Sequence, residues 1–369
     1  MTALRLGMFV MPIHDRAKPL ARCIDEDLEL AVKCEALGFD DFWVGEHHSS
    51  SVENIVMPEI FLAKVLGLTE RIRVGPAPVC LQYHHPAHVA GRLAFLDHLS
   101  HGRLNVCFGP GAIPTDMEVF GVQPSETAAR VAESIDMILK LWEGLVPIDL
   151  RGKFWHVKIK DHVHDQFGVG HLHRPLQQPH PPIYVPSISR ASAGLAKAAE
   201  RGFRFISHHM VHTGVLKQQW KTYAEGAATA GRRALAADWA VARNVFVADT
   251  TDEARRLARI NSLGRSIQYI LDLTAATAPQ GIAMWKRDDL QADADCTLDY
   301  FMDEVIIAGD PEHVTRRLLA LRDEIGPFGT LILTAHDWDD RDRWRRSLEL
   351  FAREVAPVLK KGTAHARGI

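Results

Sequence analysis

Nearly continuous apolar runs alternate with amphipathic stretches along the whole 369-residue chain. No other feature constrains the fold as strongly. The runs are Arg5–Met11, Asp40–Gly45, Arg71–Leu81, Arg103–Phe108, Ile183–Pro186, Phe203–Ser207, Trp239–Val247 and Thr330–Thr334. Strands that are apolar on both faces are expected where a parallel sheet is covered on both sides. In the first intervening stretch Leu20, Ile24, Leu28, Ala31, Cys34 and Leu37 recur at steps of three or four, with Gly38 at the C′ position. That spacing predicts a helix with one buried stripe and a left-handed terminus. Asp310-Pro311 predicts an N-cap and first helical residue, with Val314, Leu318, Leu321 and Ile325 inward. Trp344, Leu348, Phe351, Val355 and Leu359 predict a last helix. Strand–helix units of this number, in a chain of this length, favour a closed (β/α)8 TIM barrel over an open doubly wound sheet.

Composition narrows the function classes. Charged residues make up 24% and apolar residues 47%, and the net charge is −3. This balance belongs to a globular protein and provides no basic field for nucleic acid or an acidic membrane. No apolar run reaches the length of a bilayer span, and the N-terminus lacks the pattern of a secretion signal. The five cysteines are odd in number and never spaced CxxC, which predicts reduced thiols in the cytoplasm. No change of composition marks a linker, so residues 1–369 are expected to form one domain. Two stretches break the rhythm: an excursion at 145–181, and a segment at 274–303 that contains Pro279, Met284 and Trp285 and is expected to act as a lid.

In parallel α/β folds of this kind the chemistry sits at the C-terminal ends of the strands. Those ends carry His14, Glu46-His47-His48, Gln82-Tyr83-His84-His85, Gly109-Pro110-Gly111, Ser187 to Ser192, Ser207-His208-His209 and His336-Asp337-Trp338. Glu46-His47-His48 offers a base near neutral pH with a carboxylate to orient it. It reads equally as one surface and one core histidine. Ser187, Ser189 and Ser192, at a strand-to-helix junction, serve either as an anion site or as a plain N-cap. The chain has 20 histidines, yet strand one ends in His14 alone, and the HxH pairs His162/His164 and His171/His173 fall in the excursion. No catalytic metal is expected. No GxGxxG, Walker loop or GxSxG elbow is present.

Several stretches together resemble the bacterial luciferase-like, flavin-dependent monooxygenase family. They are GFDDFWVGEHH (Gly38–His48), RIRVGPAPVCLQYHHPAHVAGRLAFLDHLSHGRL (Arg71–Leu104), GPGAIPTDMEVFG (Gly109–Gly121), IYVPSISRAS with LAKAAERG after it, and GDPEHV (Gly309–Val314). Within the family the N-terminal third resembles limonene 1,2-monooxygenase-like members. The resemblance implies a TIM barrel with long insertions, and reduced FMN supplied by a separate NAD(P)H-dependent flavin reductase. It also implies O2 as co-substrate, a small hydrophobic terpene- or ketone-like substrate, and a homodimer formed through residues 57–68 and 86–100. The family's active-site histidine falls on His47, flanked by Glu46 and His48. His47 is expected to hydrogen-bond or protonate the activated oxygen, with Glu46 fixing its orientation. The flavin phosphate falls on Ser187, Ser189 and Ser192, with Arg130 as partner. Ala77, Gly109 and Pro110 fall near the flavin. Where luciferases carry a reactive cysteine followed by an arginine, this chain has Gly109-Pro110, so light emission is not expected. A deazaflavin-dependent hydride-transfer oxidoreductase and a non-catalytic flavin-binding protein remain as alternatives.

Overall fold

The computed structural model describes residues 4–10, 13–278 and 281–365. Met11 of the first strand and Pro279 of the expected lid lie outside them. In chain order the main elements are β1 (Arg5–Val10), α1 (Leu20–Ala36), β2 (Asp41–Val44), α2 (Pro58–Leu66), β3 (Arg73–Pro76), β4 (Val79–Cys80), α3 (Pro86–Leu99), β5 (Val106–Gly109), α4 (Pro114–Val119), α5 (Thr127–Trp142), β6 (Ile148–Arg151), β7 (His156–Ile159), β8 (Ile183–Ser187), α6 (Ala193–Glu200), β9 (Arg204–Ser207), α7 (Thr213–Thr229), β10 (Trp239–Arg243), β11 (Val245–Val247), α8 (Thr251–Ile260), α9 (Ser262–Thr277), α10 (Leu298–Glu304), β12 (Ile307–Gly309), α11 (Pro311–Ile325), β13 (Thr330–Ala335), α12 (Arg341–Leu350) and α13 (Ala356–His365). Contacts gather into two compact units, Met1–Phe42 with Val185–Ile369, and Trp43–Tyr184.

In the first unit β13 is the central strand. It pairs in parallel with β1 from Arg5↔Thr330 to Val10↔Ala335, and with β10 from Ala240↔Thr330 to Arg243↔Leu333. β10 pairs in turn with β9. Every residue of β13 and β10 is buried, as the unbroken apolar runs predict. α1 buries Leu28, Ala31 and Cys34 and ends before Gly38, whose φ of +80° is the left-handed turn its sequence position predicts. Asp310 caps α11 by accepting the His313 N–H at 2.8 Å. One expectation fails: Trp239–Val247 is not a single strand. The run breaks at Asn244, whose buried amide bonds His209 and His336, and β11 leaves the main sheet to pair with β12.

His14 sits beneath this sheet as a clamp. Its Nδ1 donates to Asp337 at 2.9 Å and its Nε2 to Asp27 at 3.0 Å. Lys18 joins Asp337 (2.6 Å) and Glu26 (2.7 Å). Burial disfavours the charged imidazole, but the two carboxylates outweigh it and raise His14 to about 9. A folded-state value above the usual 6.5 stabilises the fold fully below pH 6.5, and the contribution is lost as pH rises through 9. We expect wild type to lose about 3 kcal/mol between pH 6 and pH 9.5 that His14→Gln does not lose. Urea unfolding of both proteins at the two pH values checks this.

In the second unit β5 pairs in parallel with β8 (Val106↔Ile183, Cys107↔Tyr184) and with β4 (Val79↔Phe108, Cys80↔Gly109). The run expected as one strand over Arg71–Leu81 is two, β3 and β4, either side of the cis Ala77–Pro78 peptide. The Ala77 N–H donates to Val44 O at 2.7 Å. Trp43 packs so closely on β3 that a Cβ at Gly75 would lie 2.6 Å from its ring, so only glycine fits there. The 145–181 excursion is ordered. β6 and β7 form an antiparallel hairpin. Its turn is fastened to α5 by the Glu133 carboxylate, which accepts the N–H groups of Lys153, Phe154 and Trp155 at 2.7–3.0 Å. Among the described residues no helix is long and apolar enough to cross a membrane.

Candidate active site

The peptide leaving β2 carries Gly45-Glu46-His47-His48 in irregular backbone that bends at His48. Glu46 and His48 bond each other, whereas His47 bonds Glu53. Glu46 is 1% exposed. Its Oε1 accepts the Nε2–H groups of His48 at 2.7 Å and His84 at 2.6 Å, and its Oε2 accepts the Cys80 N–H at 3.0 Å. Burial would raise this carboxyl, but the two histidines and the Cys80 amide overcome it and hold it at about 2. Glu46 is therefore a fixed anion at all working pH values. The expectation that Glu46 orients His47 is corrected: its carboxylate is taken up by His48, His84 and the Cys80 N–H. The ligand atoms of Glu46, His48 and His84 lie within 4.8 Å of one another, a set that could hold a metal ion. Two imidazole donors sharing one carboxylate oxygen already account for the arrangement.

His47 is oriented by two other carboxylates. Its Nε2 donates to Glu53 Oε2 at 2.9 Å. Asp116 Oδ2 stands 3.8 Å from Nδ1, beyond hydrogen-bond reach, and acts there through its charge. Asp116 is itself fixed by the His48 N–H (3.1 Å) and Ser49 N–H (2.7 Å). Burial works against the charged imidazole, yet the neighbouring carboxylates raise His47 to about 9. Hence His47 is an imidazolium near neutral pH, a donor rather than the base its sequence suggests. Its buried Nδ1 has no hydrogen-bond partner among the described residues.

Aromatic rings wall this cluster. Tyr83 stacks on Phe120 with centroids 4.9 Å apart, and both meet His48 edge-on. The Tyr83 hydroxyl and both amide atoms of Gln82, a residue 1% exposed, are buried without hydrogen-bond partners among the described residues. Gly111 keeps the Tyr83 ring in place, since a Cβ there would collide with its hydroxyl. Buried polar atoms left unsatisfied cost about 1–3 kcal/mol each unless a ligand pairs with them. His47 Nδ1, the Gln82 amide and the Tyr83 hydroxyl supply such atoms. Ala77 and Gly109 are buried nearby in sequence and Pro110 is exposed. Arg130, expected at the phosphate, pairs with Glu126 at 3.1 Å and lies 4.5 Å over the Phe154 ring.

The three serines of the first unit behave differently from one another. Ser187 ends β8 with its hydroxyl buried and unpartnered. Ser192 caps α6 by accepting the Leu195 N–H at 3.4 Å, the plain N-cap reading. Ser189 is exposed, and its carbonyl accepts from Gln219 at 3.1 Å. The Ser187 hydroxyl, without a partner among the described residues, is left as a donor for a polar group.

Sequence reasoning missed Glu53 and Asp116 as members of the site, and it placed Gln82 and His84 at a strand end without giving them a role. Asp116 lies inside the Gly109–Gly121 stretch, so that motif held a signal for it.

Comparison with known proteins places these observations. A family model described as luciferase-like monooxygenase matches residues 4–327. The chain is 33% identical to 4-hydroxyprotoasukamycin monooxygenase of Streptomyces nodosus subsp. asukaensis, over 97% of this chain and 92% of that protein. It is 30% identical to limonene 1,2-monooxygenase of Rhodococcus erythropolis, over 95% and 85%. Among solved structures, the oxygenating constituent of 3,6-diketocamphane monooxygenase from Pseudomonas putida, a type II Baeyer-Villiger monooxygenase in complex with FMN, superposes with a TM-score of 0.86. The identity is 29%, covering 96% of this chain and 98% of that one.

Proposed function

The chain belongs to the luciferase-like monooxygenase family, and from that premise we propose that it is a flavin-dependent monooxygenase using reduced FMN and O2 to oxygenate a small hydrophobic organic molecule. Its fold is the luciferase-like (β/α)8 TIM barrel. The observation that carries the reading is His47: a half-buried, protonated imidazole whose buried Nδ1 has no hydrogen-bond partner among the described residues.

FMN, when bound, supplies the electrons that activate O2. The protein's own groups hold, orient and protonate. His47 keeps a proton at Nδ1, Glu53 fixes the ring through Nε2, and Asp116 keeps the proton from being lost. Glu46 positions His48 and His84, which with Tyr83 and Phe120 exclude water from that side. Gln82 offers an amide to a heterocycle edge, and Ala77, Gly109 and Pro110 offer backbone. The Ser187 hydroxyl and the tip of α6, with Ser189, Ser192 and Arg130, are assigned to the phosphate. The 274–303 segment is assigned as the lid; its Trp285 packs on His208 with centroids 5.1 Å apart.

We also assign the protein to the cytoplasm, where its five free, buried cysteines stay reduced, and to work with a separate flavin reductase. A homodimer through α2 and α3 is supported by Ile60 and Phe95, which are 71% and 62% exposed. The substrate class is terpene- or ketone-like, as the names of the relatives suggest.

Anaerobic titration tests the cofactor. Reduced FMN is expected to bind stoichiometrically, and admitting air with a panel of terpenes and cyclic ketones is expected to yield an oxygenated product. Binding of reduced deazaflavin in place of FMN, with hydride transfer and no use of oxygen, would overturn the reading.

A further inference from the structure

One cation in the first unit has no use so far. Arg243 closes β10 and is only 2% exposed. Among the described residues its one hydrogen-bond acceptor is the carbonyl of Ala242, at 2.9 Å. No carboxylate there lies within ion-pair distance of it. A guanidinium has five donors and stays charged, and burial that lowers Arg243 to about 10 leaves it protonated near neutral pH. A buried charge without a counter-group is costly, by several kcal/mol even after relaxation.

The surroundings do not supply the missing charge. Asn244 donates to His209 Nδ1 at 2.8 Å and accepts from His336 Nε2 at 3.0 Å. His208 stacks on His209 with centroids 4.2 Å apart. Burial pushes all three histidines down, so they are neutral at working pH. The result is a buried, uncharged polar frame around a fixed cation at the C-terminal ends of β9, β10 and β13. Such a frame suits an oxygen acceptor on an otherwise apolar molecule.

We propose that Arg243 receives the carbonyl oxygen of the substrate, so that the substrate class is a ketone rather than an alkene. This rests on the monooxygenase reading and deepens it. When a nucleophile adds to a carbonyl carbon, the C=O π pair moves onto the oxygen. A preorganised guanidinium stabilises that developing charge. Epoxidation of an alkene presents no such oxygen at that stage.

Equilibrium binding of norcamphor and of its exocyclic-methylene analogue, 2-methylenenorbornane, tests the proposal without requiring turnover. Wild type is expected to bind norcamphor at least tenfold more tightly than the alkene. Arg243→Met is expected to weaken norcamphor roughly 10- to 100-fold, leave the alkene within about twofold, and leave reduced FMN affinity unchanged. Arg243→Lys is expected to recover part of the ketone affinity. Equal binding of both molecules by wild type overturns the assignment even if no variant folds. So does loss of reduced FMN binding with ketone affinity kept, which would place the guanidinium at the flavin. Oxygenation of alkenes without ketone preference would sink this inference and leave the monooxygenase reading standing.

Discussion

His47→Ala is expected to reduce product formation about 10²–10⁴-fold while leaving the fold and most of the FMN affinity in place. Single-turnover product yield against FMN titration separates the two effects. The magnitude follows from the role. The imidazolium carries a buried Nδ1 proton that has no hydrogen-bond acceptor among the described residues. With His47 raised to about 9, activity that depends on this proton stays level below that value and falls tenfold per unit above it. Asp116→Asn removes the charge 3.8 Å from Nδ1 and should move that fall to lower pH without abolishing turnover. A base at this position would give the opposite profile, with activity rising through the same range.

Glu46→Ala should cost about 3–5 kcal/mol of stability, the range for breaking a buried charged network. Three donors lose their acceptor at once, from His48, His84 and the Cys80 N–H. Glu46→Gln should cost about 1–3 kcal/mol, because its amide nitrogen would face one of those donors. Its pH behaviour is opposite in sign to that of His14. A carboxyl depressed to about 2 contributes fully above pH 4.5, and that contribution is lost as pH falls toward 2. Wild type should therefore lose stability relative to Glu46→Gln on acidification, and relative to His14→Gln on alkalinisation. Chemical denaturation across pH 2–10 reads both.

The parallel strands were legible because burial on two faces leaves an unbroken apolar signature, and α1 and α11 because Gly38 and Asp310-Pro311 punctuate them. Long-range partnership was not legible. Asp116 lies 68 residues from His48, and only folding brings its carboxylate to the histidines. Adjacency in sequence misled at Glu46-His47, since folding gives Glu46 to His48 and His84 and gives His47 to Glu53. Asn244 looked like a tolerable polar residue inside a strand, whereas its two buried hydrogen bonds end β10 there. Arg243 is not singled out by any sequence pattern; its burial is a tertiary fact. The 145–181 excursion seemed structureless because the carboxylate that fastens its hairpin, Glu133, belongs to the preceding helix.

The most direct test of the account is isotopic. Protein loaded anaerobically with reduced FMN is mixed with 18O2 and a panel of cyclic ketones and terpenes, and products are read by mass spectrometry. The account predicts one 18O atom in the organic product and the other in water. Product without label, or oxygen recovered wholly as hydrogen peroxide, would contradict it.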